Sequence, residues 1–197
     1  MATEASDDWR LIALIAGGNE QALDTLYSRY RPRLRRYLWQ QLDGDAGVVE
    51  EALQDIFLAV WQSAAQFRGE AKVATWMFQI AHNIALHARQ RHTRRPLSAP
   101  LLAAEEAHLD DQQRDPYADG VIARLSVNEA LAKLPEKHRE VLELFFRQGF
   151  SPDEIAAILG IPAGTVRSRM SYARKALREE LHEFLGTQTH AHNGEER

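Results

Sequence analysis

SPDEIAAILGIPAGTVRSRMSYARKALREEL, residues 151–181, decides the fold of the carboxy-terminal part of the chain. Ser151 is an N-cap residue, Pro152 suits the first helical position, and Glu154 completes a capping box. Ile155, Ala156, Ile158 and Leu159 continue the helix. Gly160 supplies the left-handed residue that ends it, and Ile161-Pro162 turns the chain. A second helix follows through Val166, Met170, Ala173 and Leu177. Small Ala156 permits close approach, and Val166 plugs the second helix onto the first. The spacing is that of a helix–turn–helix, whose second helix presents its outer face to a DNA major groove.

That face carries Arg167, Ser168, Ser171, Tyr172, Arg174 and Lys175. Arginine offers bidentate donors to guanine edges or phosphates, and serine serves either. No acidic residue stands between Ile161 and Arg178, so the positive charge is undiluted. The plainer alternative is an αα-hairpin with a solvated charged outside. Cap, small residue, glycine and valine all agree with the DNA-binding reading.

Over its 197 residues the chain has net charge −4, 45% hydrophobic and 26% charged residues, which is ordinary for a globular protein and excludes a wholly disordered one. No apolar run approaches the ~18 residues of a membrane span, and the polar, acidic Met1–Arg10 stretch is no signal peptide. Cysteine is absent, which removes disulfides, cysteine zinc sites and thiol nucleophiles. A reduced, cytoplasmic setting fits. The charge is unevenly placed: residues 96–120 hold six acids and one base, Arg114. Basic clusters occur at Arg29, Arg31, Arg33, Arg35 and Arg36, at Arg89, Arg91, Arg94 and Arg95, and in the recognition helix. Each is read either as a phosphate footprint or as a solvated helix face.

The periodicity predicts an all-α chain of two small helical domains joined by an acidic linker. Residues 1–95 form the first, with Gly17-Gly18 ending a short helix and Asn19 capping the next. Pro32 is expected to kink or split that second helix. Val49, Ala52, Leu53, Ile56, Phe57, Val60 and Trp61 make an amphipathic stripe. Phe67-Arg68-Gly69-Glu70 is a loop, and Trp76, Ile80, Ile84 and His87 open a further helix. The linker is 96–120, with Pro96, Pro100 and Pro116. The second domain is 121–186, beginning with a helix through Val121, Ile122, Leu125, Ala130, Leu131 and Leu134. Val141 to Phe146 give another helix, ended at Gly149. Residues 187–197 are a polar, frayed tail.

Three blocks give the chain a resemblance to the extracytoplasmic-function (ECF) group of sigma-70-family sigma factors. Residues 22–38, ALDTLYSRYRPRLRRYL, with 48–95, are similar to sigma region 2. Residues 125–181 are similar to region 4. The third mark is arrangement: two helical domains and an acidic tether. QDIFLAVW, FRGE followed by TW, LPEKHREV and GTVRSR are specific in combination, and the match spans about residues 10–185.

The resemblance implies a sigma subunit with no enzymatic activity, no cofactor, no metal and no small-molecule substrate. Its implied partners are bacterial core RNA polymerase, through the β′ clamp helices and the β flap, promoter DNA, and an anti-sigma factor. Glu51, Gln54, Asp55 and Phe57 match the polymerase-binding stretch, although Phe57 also belongs to the apolar stripe. Region 4 implies −35 duplex contacts from Thr165, Arg167, Ser168, Ser171, Tyr172, Arg174 and Lys175. Region 2 implies capture of the −10 element as single strand. That task needs apolar platforms, a group for base edges and cations for the backbone. Phe67, Trp76 and Phe78 are the platforms, with Trp76 also a core candidate. Asn83 is the base-edge group, or else a structural amide. Arg68, Lys72, Arg89 and Arg91 are the cations. Val73 and Ala74 stand where relatives often carry aromatics, which weakens stacking by the loop itself. The acidic linker either mimics a nucleic-acid strand in the RNA exit channel or is a solubilising tether.

Two other classes fit less well. A conventional helix–turn–helix regulator needs a receiver or ligand domain in front, and residues 1–95 show no βαβ alternation. An enzyme needs a constellation, and no HExxH, Walker loop or GxSxG is present; His82, His87 and His92 are spaced by five, off a shared helix face.

Overall fold

The computed structural model describes residues 2–94, 131 and 133–192. They contain seven α-helices and no strand: α1 Ala2–Ala16, α2 Glu20–Gln41, α3 Ala46–Ser63, α4 Val73–Arg94, α5 Glu136–Leu142, α6 Pro152–Leu159 and α7 Ala163–His192. A 3-10 turn, Ala64–Gln66, follows α3, and a π-helical turn, Glu143–Arg147, follows α5. The acidic segment 96–120 and residues 121–130 of the helix expected from Val121 to Leu134 lie outside the described residues.

These residues group into two compact units. The first joins 2–94 with 143–166, and the second joins 131 and 133–142 with 167–192. This grouping cuts across the expected 1–95 and 121–186 division. Residues 143–166 carry Leu144, Phe150, Ile155, Ile158 and Val166, all buried, and Phe150 packs within the first unit against Phe78.

In the first unit, Asn19 accepts from the Ala22 N–H and Asp45 from the Val48 N–H, each capping a helix start. One face of α2 buries Leu26, Tyr30, Leu34, Tyr37 and Leu38, and α3 buries Val49, Leu53, Ile56 and Val60. Large aliphatic and aromatic side chains each contribute about 1.5–3 kcal/mol on such burial. The helix α2 is continuous through Pro32. The proline is exposed, so water can satisfy the carbonyl it leaves unpaired, and the buried residues on both sides hold the helix together.

The buried stripe of α4 is Val73, Met77, Phe78, Ala81, Ala85 and Ala88. Trp76, Ile80 and Ile84 are half-buried and His87 is exposed, so the stripe lies one position round from the expected one. Small alanines, invisible to a search for large apolar residues, mark the true inner face. The helix expected through Phe146 widens into the π-helical turn, which leaves Phe146 exposed before Gly149 turns at φ 75°.

The second unit has a small core of Leu134, Leu142 and Ala173, with Leu131 and Ala176 against it. Helix α7 continues to His192, past the frayed end expected at Gly186.

Candidate nucleic-acid and polymerase interface

The start of α6 is built as its sequence implies. Ser151 Oγ accepts from the Glu154 N–H at 3.3 Å, and Glu154 Oε2 accepts from the Ser151 N–H at 2.9 Å. Burial pushes the Glu154 carboxyl up, but the Ser151 N–H and the Lys72 ammonium outweigh it and hold it below the ordinary value. Gly160 ends the helix in the left-handed region at φ 63°. The Ile161 N–H reaches back to Ala156 O, and the Thr165 N–H reaches Pro162 O, which fixes the turn.

Along α7, Val166, Met170 and Ala173 are buried, while Arg167, Ser168, Ser171, Tyr172, Arg174 and Lys175 are all exposed. Thr165, at the foot of the helix, is half-buried. The six exposed side chains therefore share the outer surface as expected. Arg174 Nε donates to Met170 O, and Lys175 pairs loosely with Glu179 at 3.9 Å. Tyr172 stacks on His138, with ring centroids 4.4 Å apart and planes at 27°. Burial lowers the His138 pKa, helped by the Lys137 and Arg169 charges, so its ring favours the neutral form. The contribution of His138 has no local signal, because it lies 34 residues before Tyr172.

The loop between the 3-10 turn and α4 places Arg68 and Lys72 in solvent, with side chains 85% and 68% exposed. Arg68 lies 4.0 Å from Glu70, and Lys72 pairs with Glu154 at 2.9 Å. Phe67 and Trp76 are half-buried and lie against each other, centroids 4.9 Å apart. Asn83 is exposed on α4. Phe78 is different: it is fully buried between Tyr37 and Phe150, with the Arg33 guanidinium 5.4 Å from its centroid. It is a core residue here and offers no platform to a base.

The arginine clusters divide. Arg29 bonds to the buried carboxylate of Asp8, which also accepts from Tyr30 Oη. Arg31 and Arg35 both pair with Glu50, at 3.3 and 3.2 Å. Arg33 donates to Gln148 O at 2.8 Å. Four of the five arginines of the first cluster, Arg29, Arg31, Arg33 and Arg35, thus have protein partners that link helices. In the second cluster, Arg89 donates to Gln41, and Arg91 lies 3.7 Å from Glu51 and 4.0 Å from Asp55. The two arginines of this cluster expected to touch −10 phosphates, Arg89 and Arg91, therefore have protein partners, and Arg91 leans over the carboxylates expected to touch polymerase.

On α3, Glu51 and Gln54 are exposed and Asp55 is half-buried. Phe57 is buried against Tyr27, centroids 4.7 Å apart, and belongs to the core. Leu58, 54% exposed, takes its place on the outer face. Positions 51, 54, 55 and 58 follow helical spacing, and that spacing was the available signal.

Gln148 donates to the buried Glu143 carboxylate at 3.2 Å, and Arg147 lies 3.4 Å from it. Burial raises the Glu143 pKa, against the opposing pull of Arg147, Gln148, Arg36 and Gln40. Among the described residues, no group of three or more His, Asp or Glu is placed to hold a metal ion, and no helix is long and apolar enough to cross a membrane.

Comparison with known proteins matches residues 26–95 to "Sigma-70 region 2" and residues 124–177 to "Sigma-70, region 4". The chain is 31% identical over 170 residues to the ECF RNA polymerase sigma factor SigL of Mycobacterium tuberculosis, covering 86% of this chain and 94% of SigL. Two solved structures are similar at 25% identity. One is CnrH in complex with the cytosolic domain of CnrY, with TM-score 0.64, covering 90% of this chain and 98% of that one. The other is the sigma factor RpoE in complex with the anti-sigma factor NepR from Bartonella quintana, with TM-score 0.58, covering 80% and 95%.

Proposed function

The chain belongs to the ECF group of sigma-70 factors, and we propose that it directs core RNA polymerase to a restricted set of promoters and helps open them. The observation that carries this reading is the pairing of two surfaces in one chain. One is the exposed 167–175 face of α7, free of acidic residues, following a helix capped at both ends by the Ser151–Glu154 box and Gly160. The other is a region-2 fold whose α3 face and 67–72 loop are open to solvent.

The division of labour follows from chemistry. Arg167, Ser168, Ser171 and Tyr172 read the −35 duplex in the major groove, while Arg174 and Lys175 neutralise phosphates. Thr165 lies where the helix N-terminus meets the backbone. The Phe67–Trp76 pair, Asn83, Arg68 and Lys72 hold the −10 strand once its bases leave the stack. Lys72 must leave the half-buried Glu154 carboxylate to do so, and Glu154 keeps its bond to the Ser151 N–H when it does. Glu51, Gln54 and Asp55, with Leu58, dock on the basic clamp of polymerase. The chain itself performs no chemistry; polymerase does. The work takes place in the cytoplasm, where polymerase and promoters are.

RpoE was solved in complex with the anti-sigma factor NepR and CnrH with the cytosolic domain of CnrY, and these neighbours support an anti-sigma partner for this chain too. The test is reconstituted initiation with purified chain and core polymerase. Specific transcripts that require both proteins support the reading. Duplex binding with no polymerase association moves the protein to the conventional regulators.

A further inference from the structure

The 67–72 loop lacks an aromatic of its own that stands clear of the core. Val73 is buried, Ala74 has no ring, and Phe67 and Trp76 face each other half-buried. A different ring stands beside the loop. On α1, Asp8, Ile12 and Ile15 are buried, and Asp8 is pinned by Arg29 and Tyr30. These three positions fix the rotation of the helix about its axis. Trp9, one residue on, is therefore turned outward and is 54% exposed. Its indole lies over Gly69: a Cβ there would sit 3.0 Å from Trp9 Nε1 and 3.7 Å from Cδ1. Gly69 has φ 72°, a region that favours glycine, so the loop backbone is bare where the ring meets it.

A lone exposed tryptophan needs no explanation. This one adjoins the loop that carries the exposed cations Arg68 and Lys72. A ring beside cations is what a single strand needs, since bases stack on the π face while the backbone follows the charge. We propose that Trp9 is a −10-strand contact that adds an exposed stacking surface to the half-buried Phe67–Trp76 pair beside the 67–72 loop, with an unstacked base of the non-template strand as its ligand. This rests on the −10 role proposed above for the loop.

The experiment uses holoenzyme assembled from the full chain and core polymerase. The probe is a single-stranded oligonucleotide carrying the −10 sequence mapped upstream of the reconstituted transcription starts, with a scrambled strand as control. Trp9→Ala and Trp9→Leu are each expected to weaken binding of the −10 strand about 5- to 100-fold, the loss of one base platform. Trp9→Phe is expected to recover most of the affinity. Core-polymerase affinity and −35 duplex affinity stay at the wild-type level. Leucine keeps apolar bulk against Gly69, so Trp9→Leu reads stacking even where Trp9→Ala disturbs α1. Wild-type affinity in Trp9→Leu, with strand preference intact, overturns the assignment of Trp9 alone. A wild-type holoenzyme that does not prefer the −10 strand over the scrambled one overturns the role of the loop, and the assignment with it.

Discussion

The Phe78 ring stands edge-on to that of Phe150, 4.9 Å between centroids, across 72 residues of sequence. Tyr37 closes the other side, and Arg33 lies over both rings while donating to Gln148. An aromatic three positions after Thr75 on the helix of the −10 loop is therefore the centre of a core.

Phe78→Ala should accordingly act on stability. Removing a fully buried ring costs about 3–5 kcal/mol. Urea unfolding followed by circular dichroism should show a lower midpoint and a loss of unfolding free energy of that size. A variant as stable as wild type, but defective in −10 strand binding, would return Phe78 to the interface.

The recognition helix should separate base reading from phosphate contact. Arg167→Ala is expected to lower −35 duplex affinity by about 1–3 kcal/mol and relax sequence preference. Arg174→Ala should weaken all duplexes alike and reduce the salt slope by about 1. Titrations at several salt concentrations on cognate and scrambled duplexes check both. Equal loss of selectivity in the two variants would remove the distinction.

The outer face of α3 should act on polymerase alone. Asp55→Ala and Leu58→Asp are each expected to weaken core binding roughly 10-fold, about 1.4 kcal/mol, and leave duplex affinity unchanged. Arg91 sits over Glu51 and Asp55 in an exposed pair worth about 0–1 kcal/mol, so it yields readily to a partner. Competition with labelled wild-type chain for core polymerase measures the effect. A parallel loss of duplex affinity for Asp55→Ala would merge the two roles.

Glu143 gives a pH prediction. Its folded pKa is raised by burial, above the unfolded value. Its contribution to stability is therefore fully present below the unfolded carboxylate pKa, and it is lost as pH rises through the raised folded value. Glu143→Gln keeps the shape and removes the charge. The difference in stability between wild type and Glu143→Gln should shift in favour of the variant as pH rises across that window. A difference that does not change with pH would contradict this.

What the sequence made legible was local. Asn19 and the Ser151–Glu154 box cap helices within three residues, and Gly160 ends one by its own φ, so composition suffices for these. The exposed face of α7 follows from 3.6-residue periodicity alone. What escaped depends on distant packing. The inner face of α4 is lined by alanines, whose burial is set by the helices opposite. Pro32 stays helical because residues elsewhere hold its flanks. Arg33 meets Gln148 across 115 positions, and the Asp8 contacts that orient Trp9 come from α2. No window of sequence contains either pair.

The most direct measurement is transcription from a pool of genomic promoter fragments with core polymerase, with and without the chain. Initiation at defined starts that share −35 and −10 sequences, present only when both proteins are added, is the predicted result. Core polymerase that neither binds the chain nor initiates with it, beside sequence-specific duplex binding by the chain alone, would contradict the sigma-factor account.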